Sequence, residues 1–242
     1  MFPALPLSIT TFFILTTIAA LIWYYKILAS VSKTIAKNFA IISVIWLVFQ
    51  MWLAINEVYL NGVNAMPPKI VLYGIIPAFI IIAIILILPS GRAFFSKVSA
   101  MKLIQFHIIR IPIELTLFWL YGHKFVPKIM TFSGLNFDIV AGIAALIIAL
   151  YYIFIGRVKR WVLVVFNVVS LLLLINILTI AALSIQSPIQ KFGITDPNIA
   201  VLGFPFCWLP VYLVPLVLIS HIGSLWKLAQ APVNRPAKNQ AE

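Results

Sequence analysis

Residues 161–185 read WVLVVFNVVSLLLLINILTIAALSI, an uncharged run longer than the roughly 20 apolar residues that cross a bilayer. Further segments along the chain are also long and apolar enough to do so. With this run, they lie near residues 7–28, 39–60, 70–88, 101–121, 138–156, 161–185 and 199–226. The sequence therefore predicts an all-α polytopic integral membrane protein, a bundle of seven transmembrane helices. We expect residues 1–226 to form this single domain and residues 227–242 to be a disordered cytoplasmic tail.

The composition of the chain favours the same class. Of its 242 residues, 64% are hydrophobic and 9% are charged, whereas average globular chains carry about 25% charged residues. The net charge is +12, which in a soluble protein would suggest a nucleic-acid partner. Here the basic residues are dispersed over short loops, where they would face anionic headgroups. We expect the lipid bilayer and not nucleic acid to be the partner, and the sequence identifies no protein partner.

The basic residues of the loops predict the orientation. One side of the predicted spans carries Lys26, Lys33, Lys37, Arg92, Lys97, Lys102, Arg157, Lys159, Arg160, Lys227, Arg235 and Lys238. The other side carries Lys69, Lys124, Lys128 and Lys191, and Arg110 lies inside a span. Cytoplasmic loops hold the excess of Lys and Arg, so the N-terminus is predicted outside and the C-terminus inside. Residues 1–6 lack a basic side chain, so we expect a retained first span and not a cleaved signal peptide.

Several chemistries lack the residues that they need. The single cysteine, Cys207, excludes an intramolecular disulfide and a multi-cysteine metal centre. Of the three histidines, His123 lies on the outer side, so no three-histidine zinc site is expected. The chain has neither a Gly-x-Ser-x-Gly motif nor a Gly-rich nucleotide loop. We expect no metal and no cofactor, and the sequence favours a protein that is not an enzyme without deciding the question.

The polar side chains of the fourth span are the main candidates for a functional site. Residues 105–115 read QFHIIRIPIEL, and His107, Arg110 and Glu114 fall within about 60° of one another on a helix. A charge at mid-membrane costs about 2.5–3.5 kcal/mol or more, so Arg110 should face the bundle interior with a partner. Glu114 is the nearest candidate partner, and Glu57 on the second span is the alternative.

Two interpretations of this stripe remain open. In one, Arg110 and Glu114 form a buried ion pair that fixes helix packing, with His107 as a hydrogen-bond donor. In the other, the stripe lines a polar cavity that binds an anion or relays protons.

Polar residues on the second and seventh spans extend the set. Gln50 and Glu57 share one face of the second span, with Glu57 near its outer end. Glu57 is either a solvated carboxylate at the rim or, if it lines the same cavity as Glu114, part of an acidic mouth suited to proton coupling. His221 is expected at the inner interface, at a depth similar to that of His107.

The outer loop before the fifth span is unusually apolar. Asn136 is predicted to cap the helix of that span, and Asp138 suits its positive end. Phe132, Leu135 and Phe137 are too apolar for a free loop, so we expect them to fold back onto the outer end of the bundle as a plug.

Prolines interrupt three of the spans. Pro205, Pro210 and Pro215 fall in the seventh span, Pro77 falls in the third and Pro112 falls in the fourth. Each proline removes a backbone donor and crowds the carbonyl four residues earlier. We therefore expect bent helices whose freed carbonyls turn toward neighbouring helices or water.

Short matches along the chain indicate an internal repeat. The sequence IAALI occurs at residues 18–22 and 143–147, and a Pro-x-Ile start followed by Gly occurs at 68–74 and 197–203. These matches would make spans one to three and five to seven parallel repeats, with span four between them.

Two resemblances add context. The runs QxxxxRxPIEL at 105–115 and PxxMTFxGxNFDI at 127–139 resemble a group of bacterial multi-pass membrane proteins without a known activity. This resemblance covers roughly residues 105–142 and implies a bacterial inner membrane, but no catalytic residue. The three-plus-one-plus-three arrangement is similar to that of seven-span sugar transporters. Their Pro-Gln motifs are absent here, where Pro188-x-Gln190 lies in a loop, so the architecture alone carries over.

The sequence thus predicts a small-molecule transporter or permease with a polar cavity around His107, Arg110 and Glu114, extended by Glu57 and Gln50. The alternative is a membrane sensor, accessory or scaffold protein in which the same ion pair is structural. Transport requires a water-accessible cavity in the middle of the bundle, whereas the alternative predicts a dry bundle in which Arg110 is paired.

Overall fold

The computed structural model describes residues 5–62 and 65–230. Within these ranges the chain is helical and contains no strand. The helices are α1 (Leu7–Ala29), α2 (Lys33–Ile55), α3 (Val71–Ile87), α4 (Pro89–Lys97), α5 (Ala100–Gly122), α6 (Asp138–Ile155), α7 (Arg160–Ala182) and α8 (Leu209–Gln230). The predicted all-α class is confirmed.

The lengths and composition of the helices fit a membrane protein. Six of the described helices are long and apolar enough to cross a bilayer, and a seventh is counted if α3 and α4 form one span that bends by 82°. Predicted spans one, three, four, five and six agree with the helices to within a few residues. α8 continues to Gln230, so the first residues of the expected disordered tail are helical, and residues 231–242 lie outside the described part of the chain.

The second span lies nearer the N-terminus than predicted. α2 begins at Lys33 and ends at Ile55, instead of covering residues 39–60. Its start is fixed by Ser32, whose hydroxyl oxygen accepts a hydrogen bond from the backbone N–H of Ile35 at 3.4 Å. Lys37 therefore belongs to the first turns of the helix, where its long side chain reaches the surface.

The last long helix begins about ten residues later than predicted. Residues Ala200–Leu202 form a single 3-10 turn, and Gly203 is extended, with φ −117° and ψ 158°. Gly74, its proposed repeat equivalent, lies inside α3. The proposed match between the starts of spans three and seven is therefore wrong, because the two segments have different backbone conformations.

Prolines shape α3 and α8 in the same way. Each helix begins with a π-helical turn, Val71–Ile75 in α3 and Leu209–Leu213 in α8. After one intervening residue each helix has a proline, Pro77 in α3 and Pro215 in α8. Because a proline has no N–H, each leaves the carbonyl four residues earlier without its α-helical donor.

Two side chains of α2 donate to the freed carbonyls. Gln50 Nε2 donates to the carbonyl of Tyr73 at 3.1 Å, and Trp46 Nε1 donates to that of Val211 at 3.0 Å. The prediction that the proline carbonyls turn to neighbouring helices is confirmed at both positions. α2 thereby holds α3 and α8 at matching places.

A close approach between α5 and α6 positions the polar centre. A Cβ atom at Gly142 would lie 2.8 Å from Ile111 Cγ1 and 3.1 Å from the Ile111 nitrogen. Only glycine therefore fits here without displacing the neighbouring helix, and the residues beside it on α6, Ala141 and Ala145, are also small and buried. The first turn of α6 is brought against the middle of α5, where a 3-10 turn at His107–Ile109 precedes Arg110.

Candidate functional site

The loop between α5 and α6 is folded into the bundle. Met130, Thr131 and Asn136 are buried within it. Asn176 on α7 donates from Nδ2 to the carbonyl of Leu135 at 2.8 Å, which ties the loop to the bundle. The start of α6 at Asp138 is thereby carried inward to the depth of Arg110.

The expected plug is correct in part. Phe132 stacks on Phe118 of α5 with ring centroids 4.7 Å apart. Leu135 and Phe137, however, are 53% and 47% exposed, so the prediction that they pack onto the bundle is wrong. The polar Asn136 turns inward instead, because its side chain finds partners there and the two apolar side chains point away.

Arg110 forms a two-armed ion pair with Asp138. Arg110 Nε donates to Asp138 Oδ2 at 2.7 Å, and Arg110 Nη2 donates to Asp138 Oδ1. Nη2 also donates to the carbonyl of Ser170 at 3.2 Å, and Nη1 donates to His221 Nε2 at 3.2 Å. Arg110 is 1% exposed, so its charge is met almost entirely by the protein.

The predicted partner of Arg110 was wrong. Neither Glu114 nor Glu57 pairs with it, although Glu114 is one helical turn away. The reason is the inward position of the first turn of α6, which places Asp138 directly against the guanidinium. For Asp138 the sequence predicted only a place at the positive end of the helix. This prediction is confirmed, because α6 begins at Asp138.

Asn136 connects the two buried carboxylates. Its Nδ2 donates to Glu114 Oε2 at 2.7 Å and to the carbonyl of Met130 at 2.9 Å. Its Oδ1 accepts the backbone N–H of Asp138 at 3.0 Å. Phe137 and not Asn136 occupies the N-cap position of α6, so the predicted cap is wrong by one residue. Among the described residues the one ion pair is Arg110–Asp138, so Glu114 is a buried acid held by an amide.

A hydrogen-bonded chain continues from Arg110 to the far end of the cluster. An arginine only donates, so His221 Nε2 accepts and the proton of the neutral ring is on Nδ1. That N–H then donates to Asn167 Oδ1 at 3.0 Å, and Asn167 Nδ2 donates to Ser224 Oγ at 3.0 Å. His221 is fully buried inside the bundle, so its ring does not face the surroundings. Its interfacial depth stays a prediction.

His107 lies against the same histidine. The two imidazole rings stack with centroids 3.8 Å apart and an angle of 20° between their planes. The prediction that His107 and His221 share a depth is confirmed. His107 is also fully buried, and neither of its ring nitrogens has a hydrogen-bond partner among the described residues. The donor role expected for His107 in the structural interpretation is therefore wrong.

Gln50 and Glu57 lie away from this cluster. Gln50 is buried. Its side chain accepts a hydrogen bond from the hydroxyl of Tyr59 and donates one to the carbonyl of Tyr73 on α3. Glu57 is exposed just after α2. The structure therefore brings together His107, Arg110 and Glu114 of the predicted site, and separates Gln50 and Glu57 from them.

Glu57 has a conformation that favours glycine. Its φ is +55°, and the bonds from Glu57 N to Ala54 O (3.2 Å) and from Val58 N to Leu53 O (3.0 Å) close α2 in a Schellman motif. We expect Glu57→Gly to stabilise the protein by up to about 1 kcal/mol, because the side chain is strained there. Unfolding of the purified variant in detergent measures this. A loss of stability would show that the Glu57 side chain makes a compensating contact.

Asp138, Asn136, Asn167, His221 and Ser224 were missed as site residues. The sequence carried a signal for two of these residues. Asp138 is one of only five acidic residues, and Asn167 is a polar residue inside an otherwise apolar run, where an amide needs a buried partner. Neither signal reveals which residues meet, because the partners come from four helices and a loop.

A cavity of about 60 Å³ adjoins the carboxylates, several times the roughly 10–15 Å³ that one water requires. Arg110, Glu114 and Asp138 are among its lining residues. The other lining side chains are apolar and come from α5, α7, α8 and the loops. They include Ile113, Leu117, Met130, Leu174, Ile177, Val201, Leu213 and Val217. The cavity is smaller than the pockets of about 300–1,000 Å³ that hold drug-sized ligands, so it suits a small molecule or one end of a longer one.

The fold and the site define a class: an all-helical protein with six or seven helices able to span a membrane and a buried ionisable network between them. Residues 67–229 match the family model of a domain of unknown function, DUF8737, and the chain belongs to that family. The matched segment contains all the residues whose side chains are hydrogen-bonded around Arg110 and excludes Gln50 and Glu57. Those residues are Arg110, Glu114, Asn136, Asp138, Asn167, His221 and Ser224. No curated protein and no solved structure matches the chain.

Proposed function

We propose that the chain is a seven-span permease of the bacterial inner membrane, with the N-terminus outside and the C-terminus inside. One observation carries the proposal: Arg110, Glu114 and Asp138 all line one cavity, whose apolar wall comes mainly from α5, α7 and α8. Ionisable side chains are costly at this depth of a bilayer and usually mark a substrate or ion pathway.

The seventh span is α3, and α4 lies along the inner surface. Residues Val71–Ile87 extend over about 26 Å, close to the thickness of the hydrocarbon core. α4 exposes Arg92 and Lys97 and buries Phe95 against Gly223 of α8. A short helix with a basic face and an apolar face suits the boundary with anionic headgroups.

The network has two halves, which Arg110 separates. With the C-terminus inside, Glu114 lies toward the outer surface, and Asn167 and Ser224 lie toward the inner surface. An arginine does not release its proton in proteins, so the pair with Asp138 blocks proton movement between the halves while it is formed. In this proposal the pair is the closed gate, and transport requires it to part.

Labelling of single cysteines tests the permease. In a Cys207→Ser background, Leu117→Cys and Val217→Cys place a thiol in the cavity wall, and Leu120→Cys places one at a buried position outside it. A membrane-impermeant thiol reagent is expected to react with the two cavity thiols as the bundle opens and to spare residue 120. A folded protein in which neither cavity position reacts from either side contradicts the proposal.

An accessory or scaffold protein is the second candidate. The complete burial of Arg110 and its two-armed pairing favour this function, because a charge so fully satisfied can serve packing alone. This candidate predicts that cavity thiols remain as unreactive as the thiol at residue 120, and that partners bind the basic inner surface.

A further inference from the structure

The cavity opens sideways between two helices. Its fully buried wall includes Leu117 and Leu174, whereas the half-buried lining residues Leu178 and Ala181 lie on α7, and Pro210 and Val214 lie on α8. The accessible side of the cavity is therefore the gap between α7 and α8, on the flank of the bundle. In a membrane this flank faces the acyl chains.

The polar end of the cavity carries an uncompensated acid. The single positive charge of Arg110 is shared in two hydrogen bonds with Asp138, and its remaining bonds go to His221 and the carbonyl of Ser170. Glu114 also lines the cavity, and among the described residues its side chain accepts one hydrogen bond, from the amide of Asn136. Two carboxyl groups thus share one guanidinium, and Glu114 is left without a counter-ion.

This imbalance selects the ligand. An anion would meet two acids and an already paired arginine, so its binding is disfavoured. A group with a positive charge or an N–H donor would give Glu114 the partner that it lacks. The apolar wall requires that such a group be joined to a hydrocarbon part.

We propose that the cavity binds an amphipathic cation, a protonated amine on a short alkyl chain, which reaches Glu114 from the bilayer through the gap between α7 and α8. This inference rests on the proposed permease and names its substrate class. The ammonium group donates to Glu114, and the alkyl chain lies along Leu117 and Leu174.

Binding of n-alkylamines to the purified protein in lipid nanodiscs tests the site. Amines of four to eight carbons are compared with alkanols and alkanoates of the same length, by calorimetry and by thermal shift. The amine is expected to bind at least about tenfold more tightly than either analogue. Equal binding of amine and alkanol would overturn the ligand class.

Two variants and a control locate the binding. Glu114→Gln keeps an acceptor for Asn136 and removes the charge, so we expect the preference for amine over alkanol to fall to within about twofold. Ala181→Trp fills the gap between α7 and α8, and we expect it to weaken binding of amine and alkanol alike. The control is Glu57→Gln, which changes an exposed carboxylate outside the cavity. This variant should bind the amine as tightly as the natural protein does. An amine preference that survives Glu114→Gln would overturn the role of this acid.

Thiol labelling and amine binding together distinguish a wrong substrate class from a wrong permease function. Reactive cavity thiols without amine binding would leave the permease standing and reject the substrate class. Amine binding with unreactive cavity thiols would retain the binding site and reject transport.

Discussion

Replacing Arg110 with Met is expected to destabilise the protein by about 3–5 kcal/mol, the usual cost of leaving one member of a buried ion pair without its partner. Asp138 would keep a buried carboxylate at the first turn of α6. His221 and the carbonyl of Ser170 would lose a donor as well. The measurement is unfolding of the variant in detergent, by heat or by titration with a denaturing detergent.

The double replacement Arg110→Met with Asp138→Leu separates the charge effect from general damage. Replacing both members of a buried pair by apolar residues is often close to neutral, so the double variant should be more stable than Arg110→Met alone. A matched control is Glu57→Gln, which removes a charge at an exposed position. If Arg110→Met costs no more than this control, or if the two replacements are additive, the buried pair does not hold the bundle together.

The positions of the helices were predictable because each span carries its signal locally. The run from Trp161 to Ile185 needs no knowledge of the rest of the chain to be read as a membrane-crossing helix. Exact ends were less predictable, since they depend on single contacts. The hydroxyl of Ser32 caps α2, which therefore begins at Lys33, and the extended Gly203 delays the start of α8.

The residues that α5 contributes to the polar centre were predictable from the sequence. The residue that pairs with Arg110 was not. His107, Arg110 and Glu114 lie on α5, so their spacing alone places them on one side. The pairing of Arg110 with Asp138 depends on how the loop between α5 and α6 folds and on the close approach at Gly142. These features are tertiary, and hydrophobic periodicity does not report them.

The composition of the network bears on the choice between the two functions. A structural pair needs equal numbers of opposite charges, and Arg110 with Asp138 already satisfies that requirement. Glu114 exceeds it, and burying a further acid is costly in any medium of low polarity. An additional acid at the wall of a cavity is what a cation site requires, so Glu114 favours the permease over the scaffold.

A second large effect is expected at Gln50, whose side chain joins α2 to α3 and to the turn that carries Tyr59. Its Nε2 donates to the carbonyl of Tyr73 that Pro77 leaves without a donor, and its Oε1 accepts from the hydroxyl of Tyr59. Gln50→Leu is close in size and removes both bonds. We expect a loss of about 2–5 kcal/mol in stability, because a buried polar group left unpaired costs about 1–3 kcal/mol.

The matched variant for Gln50 is Trp46→Phe, one turn earlier on α2. It removes only the donor to the carbonyl of Val211, at the position where Pro215 frees a backbone acceptor. We expect about 1–3 kcal/mol from this single unpaired carbonyl, less than the loss at Gln50. Both losses are measured by unfolding in detergent. If the two variants unfold like the natural protein, water or the π-helical turns satisfy these carbonyls, and α2 does not hold α3 and α8 through its side chains.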